Sequence, residues 1–461
     1  MDLKEHLVTT VKAHDQELHR RVDLLLRTGK VLVESLADTN RVVRNMKRTA
    51  AYLGIPEEKL HINVSFTMLM VNVSDGDYSF TKFQRIEGHG VNMTAISEIS
   101  KLSWRAIEND YSLDKYEEEL EKIRTKKRNY APWQVAVGAG FACGGFCIQF
   151  GCDWMAFLYA SIAAIVGMRL RQKCNESGLN HYMGIAISAF VATLIAWATT
   201  LIPGEWTSTP WHPLLACALF IVPGVPLINF VDDMLDNYIQ VGIVRAVNTL
   251  LMIAAMAFGI AFAVKLCQVD NFFPTISMVP HHNYLEYAVA AAISAMGFSM
   301  IFNIQRRLLW VVAIGGIIAV CTRNFVNLGP STDNIGLDMG LIIGSFSGAI
   351  MVSLIAIKAV HWFHVPNHVL TIPSVIPMIP GVLMYRMLFG VINMNVQTID
   401  QVTPLVKALE SGVNSGLIIL CVSLGVAIPN IFGRKYIAHS KNARLQEVLK
   451  ERKERGKFVE W

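Results

Sequence analysis

The stretch "FIVPGVPLINFVDDMLDNY", residues 220–238, begins in an apolar run, breaks it with Pro223 and Gly224, and ends on Asp232, Asp233 and Asp236. A second stretch, "IPGVLMYR" at 379–386, carries the same Pro-Gly-Val break. Proline removes a backbone donor and clashes with the preceding turn. Glycine lets another backbone or a ligand come close. Pro223 lies about twelve residues into its apolar run and Pro380 about fourteen into its own; at about 1.5 Å per residue both breaks are expected near the middle of a bilayer. Carbonyls freed there are costly unless something satisfies them. Breaks at matching places in two halves of a chain point to a central binding site; a structural kink without a ligand is the plainer alternative.

The composition fits a membrane setting. Of 461 residues, 53% are hydrophobic and 17% charged, against about 25% charged in soluble proteins, and the mean hydropathy is +0.39. The charge gathers in residues 1–129 and in the tail from Arg434, so the net +5 gives no reason to expect a nucleic-acid partner. The polar N-terminus is expected to carry no signal peptide, leaving the first apolar segment to direct insertion. Ten segments are apolar and long enough to span: 131–151, 154–170, 181–202, 211–231, 241–265, 283–303, 308–323, 338–358, 366–391 and 411–432. "RTKKRN" (124–129), "RLRQK" (169–173), "QRR" (305–307) and "GRK" (433–435) mark one side as cytoplasmic, with both termini. The loop 201–213 lacks Lys and Arg and holds Trp206 and Trp211, as expected of the opposite interface.

The spans repeat. "GGFCIQFGCDW" (144–154) resembles "MGFSMIFNIQR" (296–306), and "YMGIAISAF" (182–190) resembles "DMGLIIGSF" (338–346). "VPGVPLIN" (222–229) resembles "IPGVLMYR" (379–386), and "VNTLLMIAAMAFGIA" (247–261) resembles "VNSGLIILCVSLGVA" (413–427). The offsets are 152, 156, 157 and 166, rising in chain order. Two adjacent units of five spans must lie upside down to one another, the inverted repeat common in secondary transporters. The expected fold is an α-helical polytopic membrane protein with ten transmembrane helices as two inverted five-helix repeats, preceded by a small α+β domain. Its parts are a cytoplasmic domain at 1–126, repeats at 127–267 and 280–433, and a basic tail at 434–461.

Candidate substrate-binding residues follow from the breaks and their neighbours: Pro223, Gly224, Asn229, Asn248, Pro380, Gly381, Arg386 and Asn414. Arg386 lies six residues after Pro380 among apolar neighbours. Its fork suits a carboxylate, although an ion pair or a snorkel to the surface also fits. Asn229 is its repeat counterpart, and Asn248 and Asn414 are counterparts of each other. Asp232 and Asp233 are candidates for carrying a coupling proton, because burial raises a carboxyl pKa; a solvated cap is the other reading, and the favoured one for Asp236. Among the eight cysteines no CxxC occurs, and Cys143 with Cys147 on one helix face reads as apolar packing. His361, His364 and His368 read as interfacial polar residues before they read as a metal site.

In the soluble part, "HRRVDLLLRTGKVLVESLADTNRVVRNMKRTAAYLG" predicts two helices, the second capped by Asp38 or Thr39. "HINVSFTMLMVNVSDGDYSFTKFQRIEG" predicts two strands about an Asp-Gly turn, and two further helices lead into the membrane. No phosphate loop, nucleophile elbow or metal pattern is present. Arg41, Arg44, Lys47 and Arg48 are expected to form a solvated basic face.

With these residues in hand, the chain resembles the bacterial threonine/serine exporter family. "VESLADTNRVVRNMKRTAAYLG", "PGVPLIN", "FNIQRR" and "IPGVLMYR" are similar to its motifs, and the resemblance covers nearly the whole chain. Leu36 stands where the family has glycine. The resemblance implies a secondary exporter of threonine and serine in the bacterial inner membrane, working by proton-coupled alternating access, with no cofactor and no metal. Related split pairs resemble dicarboxylate (succinate) exporters, so that substrate is the alternative; a channel or a membrane-anchored enzyme fits less well. The expected partners are a small-molecule substrate, protons and the lipid bilayer, with a homo-oligomer left open.

Overall fold

The computed structural model describes residues 3–75, 78–269, 282–330, 334–392 and 402–454. The expected Asp-Gly turn at Gly76 and the end of the tail lie outside them. The chain divides into two compact units. One comprises Met1–Lys127, Asp233–Val244 and Gly433–Trp461; the other comprises Arg128–Asp232 and Arg245–Phe432.

The first unit is α+β. Helix α1 (Leu3–Glu34) packs against α2 (Thr39–Tyr52), and a sheet of β1 (Leu60–Val64), β2 (Met68–Asp75) and β3 (Tyr78–Arg85) is followed by α3 (Met93–Glu108) and α4 (Leu113–Thr125). The sheet is antiparallel in the order β1-β2-β3. Three strands form where two were expected. The extra turn is polar: the Ser65 hydroxyl donates to the Met68 carbonyl at 2.8 Å and accepts from the Met68 N–H at 3.0 Å, folding the chain at Phe66-Thr67. Pairing sets Leu60, Ile62 and Val64 opposite Val73, Val71 and Leu69. Leu69, Val71 and Val73 are buried, as alternation on a one-faced sheet requires. Asp38 is the N-cap of α2, accepting from the Arg41 N–H at 2.8 Å.

The turn before that cap explains the glycine of the resemblance. Leu36 has φ +60°, and the Ala37 N–H reaches back to the Leu32 carbonyl at 3.1 Å. This is a left-handed helix ending, where glycine is preferred and a side chain is strained. The basic face of α2 is solvated, as expected, at Arg44 and Lys47, and not at Arg41 and Arg48. Arg41 is buried against Asp38, Lys47 pairs with Glu57, and Arg48 lies 4.3 Å over the Trp104 ring. Burial, with Arg44 and Arg41 nearby, pushes the Arg48 guanidinium down to about 10.

The second unit is helical. Its elements are α5 (Pro132–Gln149), α6 (Trp154–Glu176), α7 (His181–Thr200), the short α8 (Pro213–Ala216), α9 (Gly224–Leu235) and α10 (Ile239–Leu266). They are followed by α11 (Tyr284–Ile301), α12 (Leu309–Asn327), α13 (Leu341–Phe363), α14 (Asn367–Val375), α15 (Gly381–Ile392) and α16 (Val402–Glu454). The ends of α9 and α16 and the start of α10 belong to the first unit. Among the described residues, seven helices are long and apolar enough to cross a membrane, or nine if each of two bent pairs is one span. The segment 131–151 forms α5, which falls outside that count. It carries Gly138, Gly140, Gly144 and Gly145, and all but a few of its side chains are buried.

Helices α5 and α11 pack antiparallel through small residues. A Cβ on Gly145 would collide with Ala290 and Ser294, and one on Gly297 would collide with Gly138 and Ala142. Under the offset of 152, Gly145 corresponds to Gly297, Gly138 to Ala290 and Ala142 to Ser294. Each contact is thus the other with its partners exchanged. Phe146 and Phe298, also equivalent, meet edge to face at 5.7 Å. Both helices end alike: the Cys152 N–H bonds the Cys147 carbonyl at 3.1 Å, and the Ile304 N–H bonds the Ser299 carbonyl at 3.0 Å. The left-handed residues in these endings are Gly151 and Asn303.

Candidate functional site

The two Pro-Gly breaks have one geometry. The Gly224 N–H bonds the Val222 carbonyl at 2.8 Å, and the Gly381 N–H bonds the Ile379 carbonyl at 2.9 Å. Each is a three-residue turn centred on proline. The preceding turn closes from the Val222 N–H to Leu219 and from the Ile379 N–H to Ile376. Helices then restart at Gly224 and Gly381. The segments Pro213–Ile221 and Gly224–Leu235 meet at a bend of 56°, and Asn367–Met378 and Gly381–Leu388 at 54°.

The breaks pack on each other. A Cβ on Gly224 would overlap Ile376 and come within 3.0 Å of Ile379. A Cβ on Gly381 would lie 2.5 Å from Leu219 and 3.3 Å from Val222. Under the offset of 157, Leu219 corresponds to Ile376 and Val222 to Ile379, so these contacts are reciprocal too. Two half-helix N-termini are thereby brought together. Each carries unpaired-in-helix N–H groups and the positive end of a helix dipole, an arrangement that favours an anionic group. Pro223, Gly224, Pro380 and Gly381 are all buried there.

The polar candidates separate. Asn229 and Asp232, one turn apart on α9, are both buried, Asp232 to 3% exposure. Nε2 of His368, near the start of α14 and 7% exposed, lies 3.5 Å from Oδ2 of Asp232. Asp233 does something different: its carboxylate accepts the Thr39 N–H of α2 at 2.8 Å. Asp236 accepts from the Asn40 side-chain amide at 2.6 Å. Asp233 thereby satisfies a first-turn N–H of α2, and both acids lie at the end of that helix where negative charge suits the dipole. Arg386 is half-buried on α15, and Asn414 is half-buried on α16. Asn248 accepts the Tyr182 hydroxyl at 2.6 Å.

Three residues of this region were not singled out from the sequence. Arg245 on α10 is 2% exposed, and among the fully buried side chains it is the largest. It lies inside the apolar run 241–265, the same signal that marked Arg386. Thr249 and Ser415 follow Asn248 and Asn414 directly and differ by the repeat offset of 166. They are 1% and 3% exposed, and among the described residues their hydroxyls have no hydrogen-bond partner. Adjacent helical positions point about 100° apart, which is why Thr249 turns inward while Asn248 meets Tyr182.

Known sequences match over both halves of this arrangement. Residues 23–267 match the family described as "Putative threonine/serine exporter", and residues 287–432 match "Threonine/Serine exporter, ThrE". The chain belongs to the threonine/serine exporter family. It is an exporter in a membrane, with a small-molecule substrate, and not an enzyme. Among relatives of this exporter, the "Probable threonine/serine exporter" of Mycobacterium tuberculosis is 21% identical over 81% of this chain and 71% of its own. The "Probable succinate transporter subunit YjjP" of Klebsiella aerogenes is 24% identical over 56% of this chain and 97% of its own. The protein of the same description from Escherichia coli K12 is 25% identical over 53% of this chain and 93% of its own. No solved structure matches the exporter.

Proposed function

We propose that this exporter moves threonine and serine out of the bacterial cytoplasm, driven by protons, by alternating access of two inverted five-helix halves in the inner membrane. The observation that carries the reading is the meeting of two equivalent, broken spans, each held at Gly224 and Gly381 by the residues just before the other's break. Half-helix N-termini near the bilayer midplane are how inverted-repeat transporters hold a substrate carboxylate. In this reading Pro223, Gly224, Pro380 and Gly381 shape the site, with Asn229, Arg386 and the inward hydroxyls of Thr249 and Ser415 beside it. Asn248 and Asn414 stand at its edge. The antiparallel, reciprocal packing of α5 and α11 supports inversion, and α5 supplies the tenth span. The termini then lie in the cytoplasm, with residues 1–126 as a cytoplasmic domain, 127–267 and 280–433 as the two halves, and 434–461 as a cytoplasmic tail.

Dicarboxylate export by the same architecture is the second reading, supported by the two relatives described as succinate transporter subunits. A dianion calls for more positive partners than a zwitterion does, and the membrane unit holds a second guanidinium besides the half-buried one of Arg386, that of the buried Arg245. Efflux from cells loaded with threonine, serine or succinate, with and without the chain expressed, tests the proposal. Faster loss of threonine or serine alone supports the first reading. Faster loss of succinate alone moves the substrate to the second, and no change in any of them overturns both.

A further inference from the structure

We propose that Asp232 and His368 together hold the coupling proton. The inference rests on the proton-coupled reading above and assigns it to one pair of side chains. Three observations point to the pair. Asp232 is the one buried carboxylate of its compact unit among the described residues. His368 is a buried imidazole whose Nε2 stands 3.5 Å from it. The two lie on α9 and α14, one arm of each broken span, so the pair joins the two halves at the elements whose breaks pack reciprocally.

The chemistry is a single acid–base step. Unloaded, the pair is a neutral imidazole and a carboxylate with a net charge of −1. Loaded, one proton taken from water on one side makes an imidazolium–carboxylate pair of net charge zero. Release to water on the other side restores the first form, so protons and charge balance over a cycle. Loading changes the buried charge of this region by one unit, a change that low-dielectric surroundings feel strongly. Loading therefore changes which packing of the two spans is favoured, which is what coupling requires.

The surroundings leave this pair as the carboxylate–imidazole site of the region. Helices α10, α12, α13, α14 and α15 carry no carboxylate; that of α11, Glu286, lies in its first turn and is paired with His282 at 3.1 Å. Ser374 of α14 bonds the Val312 carbonyl of α12, which places His368, nearly two turns earlier, at the level of Arg306 and Arg307. Those two are exposed, as are Lys358 and His364 near the end of α13. The inward cation near this end is Arg245 of α10, with Arg386 half-buried on α15. On α9 itself, Asp233 is taken up by the Thr39 N–H, and Asp236, just beyond the helix, by Asn40.

The test uses the full chain in proteoliposomes with labelled threonine, or labelled succinate if threonine is not exchanged. Two quantities are read: exchange at equal pH on both sides, and its acceleration by an imposed pH gradient. Asp232→Asn and His368→Gln are each expected to keep exchange and lose the acceleration, while Asp236→Asn keeps both. Acceleration retained in both pair variants overturns the assignment and leaves proton coupling standing. A parent protein whose transport ignores the gradient overturns the coupling and the assignment together. Should Asp232→Asn not fold, His368→Gln decides alone, because an amide keeps the volume and hydrogen-bonding capacity of that site.

Discussion

Gly224 sits against Ile376, and Gly381, its equivalent, sits against Leu219, the equivalent of Ile376. A contact that maps onto itself when the halves are exchanged is a two-fold relation written in side chains. It recurs at Gly145 and Gly297.

Because the relation is reciprocal, matched substitutions should act alike. Gly224→Val and Gly381→Val are each expected to cost about 1–3 kcal/mol by overpacking and to depress transport by similar factors. Gly→Ala at either site should be milder, since the atoms met are mainly the ends of Ile376, Ile379 and Leu219 side chains. Thermal unfolding and transport of the four variants check this. A large effect at one break and none at the other would contradict it.

Arg386 is half-buried on the second broken span. If it holds a carboxylate, Arg386→Lys removes the two-point fork while keeping the charge. Transport is expected to fall at least about tenfold, the loss of one good charge-assisted hydrogen bond, with folded protein still in the membrane. Unchanged transport would remove Arg386 from the site.

Leu36 occupies a left-handed position with φ +60°. Leu36→Gly relieves that strain, worth about 1 kcal/mol or more, against a partial loss of contact from a half-buried side chain. The expected outcome is a net gain of about 0.5–1 kcal/mol, read as a higher unfolding temperature of the soluble part.

The Lys and Arg pattern predicts sidedness. A cysteine placed in the 201–213 loop should react with an impermeant reagent from outside, and one in the 169–180 loop should not. The reverse pattern would contradict the cytoplasmic placement of the termini.

The broken spans could be read in the sequence because proline and glycine act locally, and Pro223-Gly224 and Pro380-Gly381 fold into the same turn. The division of labour among three neighbouring acids was not legible. Asp232 meets His368, whereas Asp233 and Asp236 meet α2, and only long-range packing decides that. His368, read from the sequence as an interfacial polar residue, is buried for the same reason. Arg245 was legible and passed over, because Arg386 with its nearby proline drew attention first. Thr249 and Ser415 were lost by one residue: their asparagine neighbours are more polar, but helical phase, set by packing, turns the smaller hydroxyls inward. The extra strand came from Ser65, whose hydroxyl makes a turn without glycine or proline to announce it.

The most direct test of the central claim is counterflow by the purified chain in proteoliposomes, with labelled threonine, serine and succinate side by side and a pH gradient imposed or absent. The account predicts exchange of threonine and serine that quickens with the gradient. Exchange of succinate alone, or of none of the three, would contradict it.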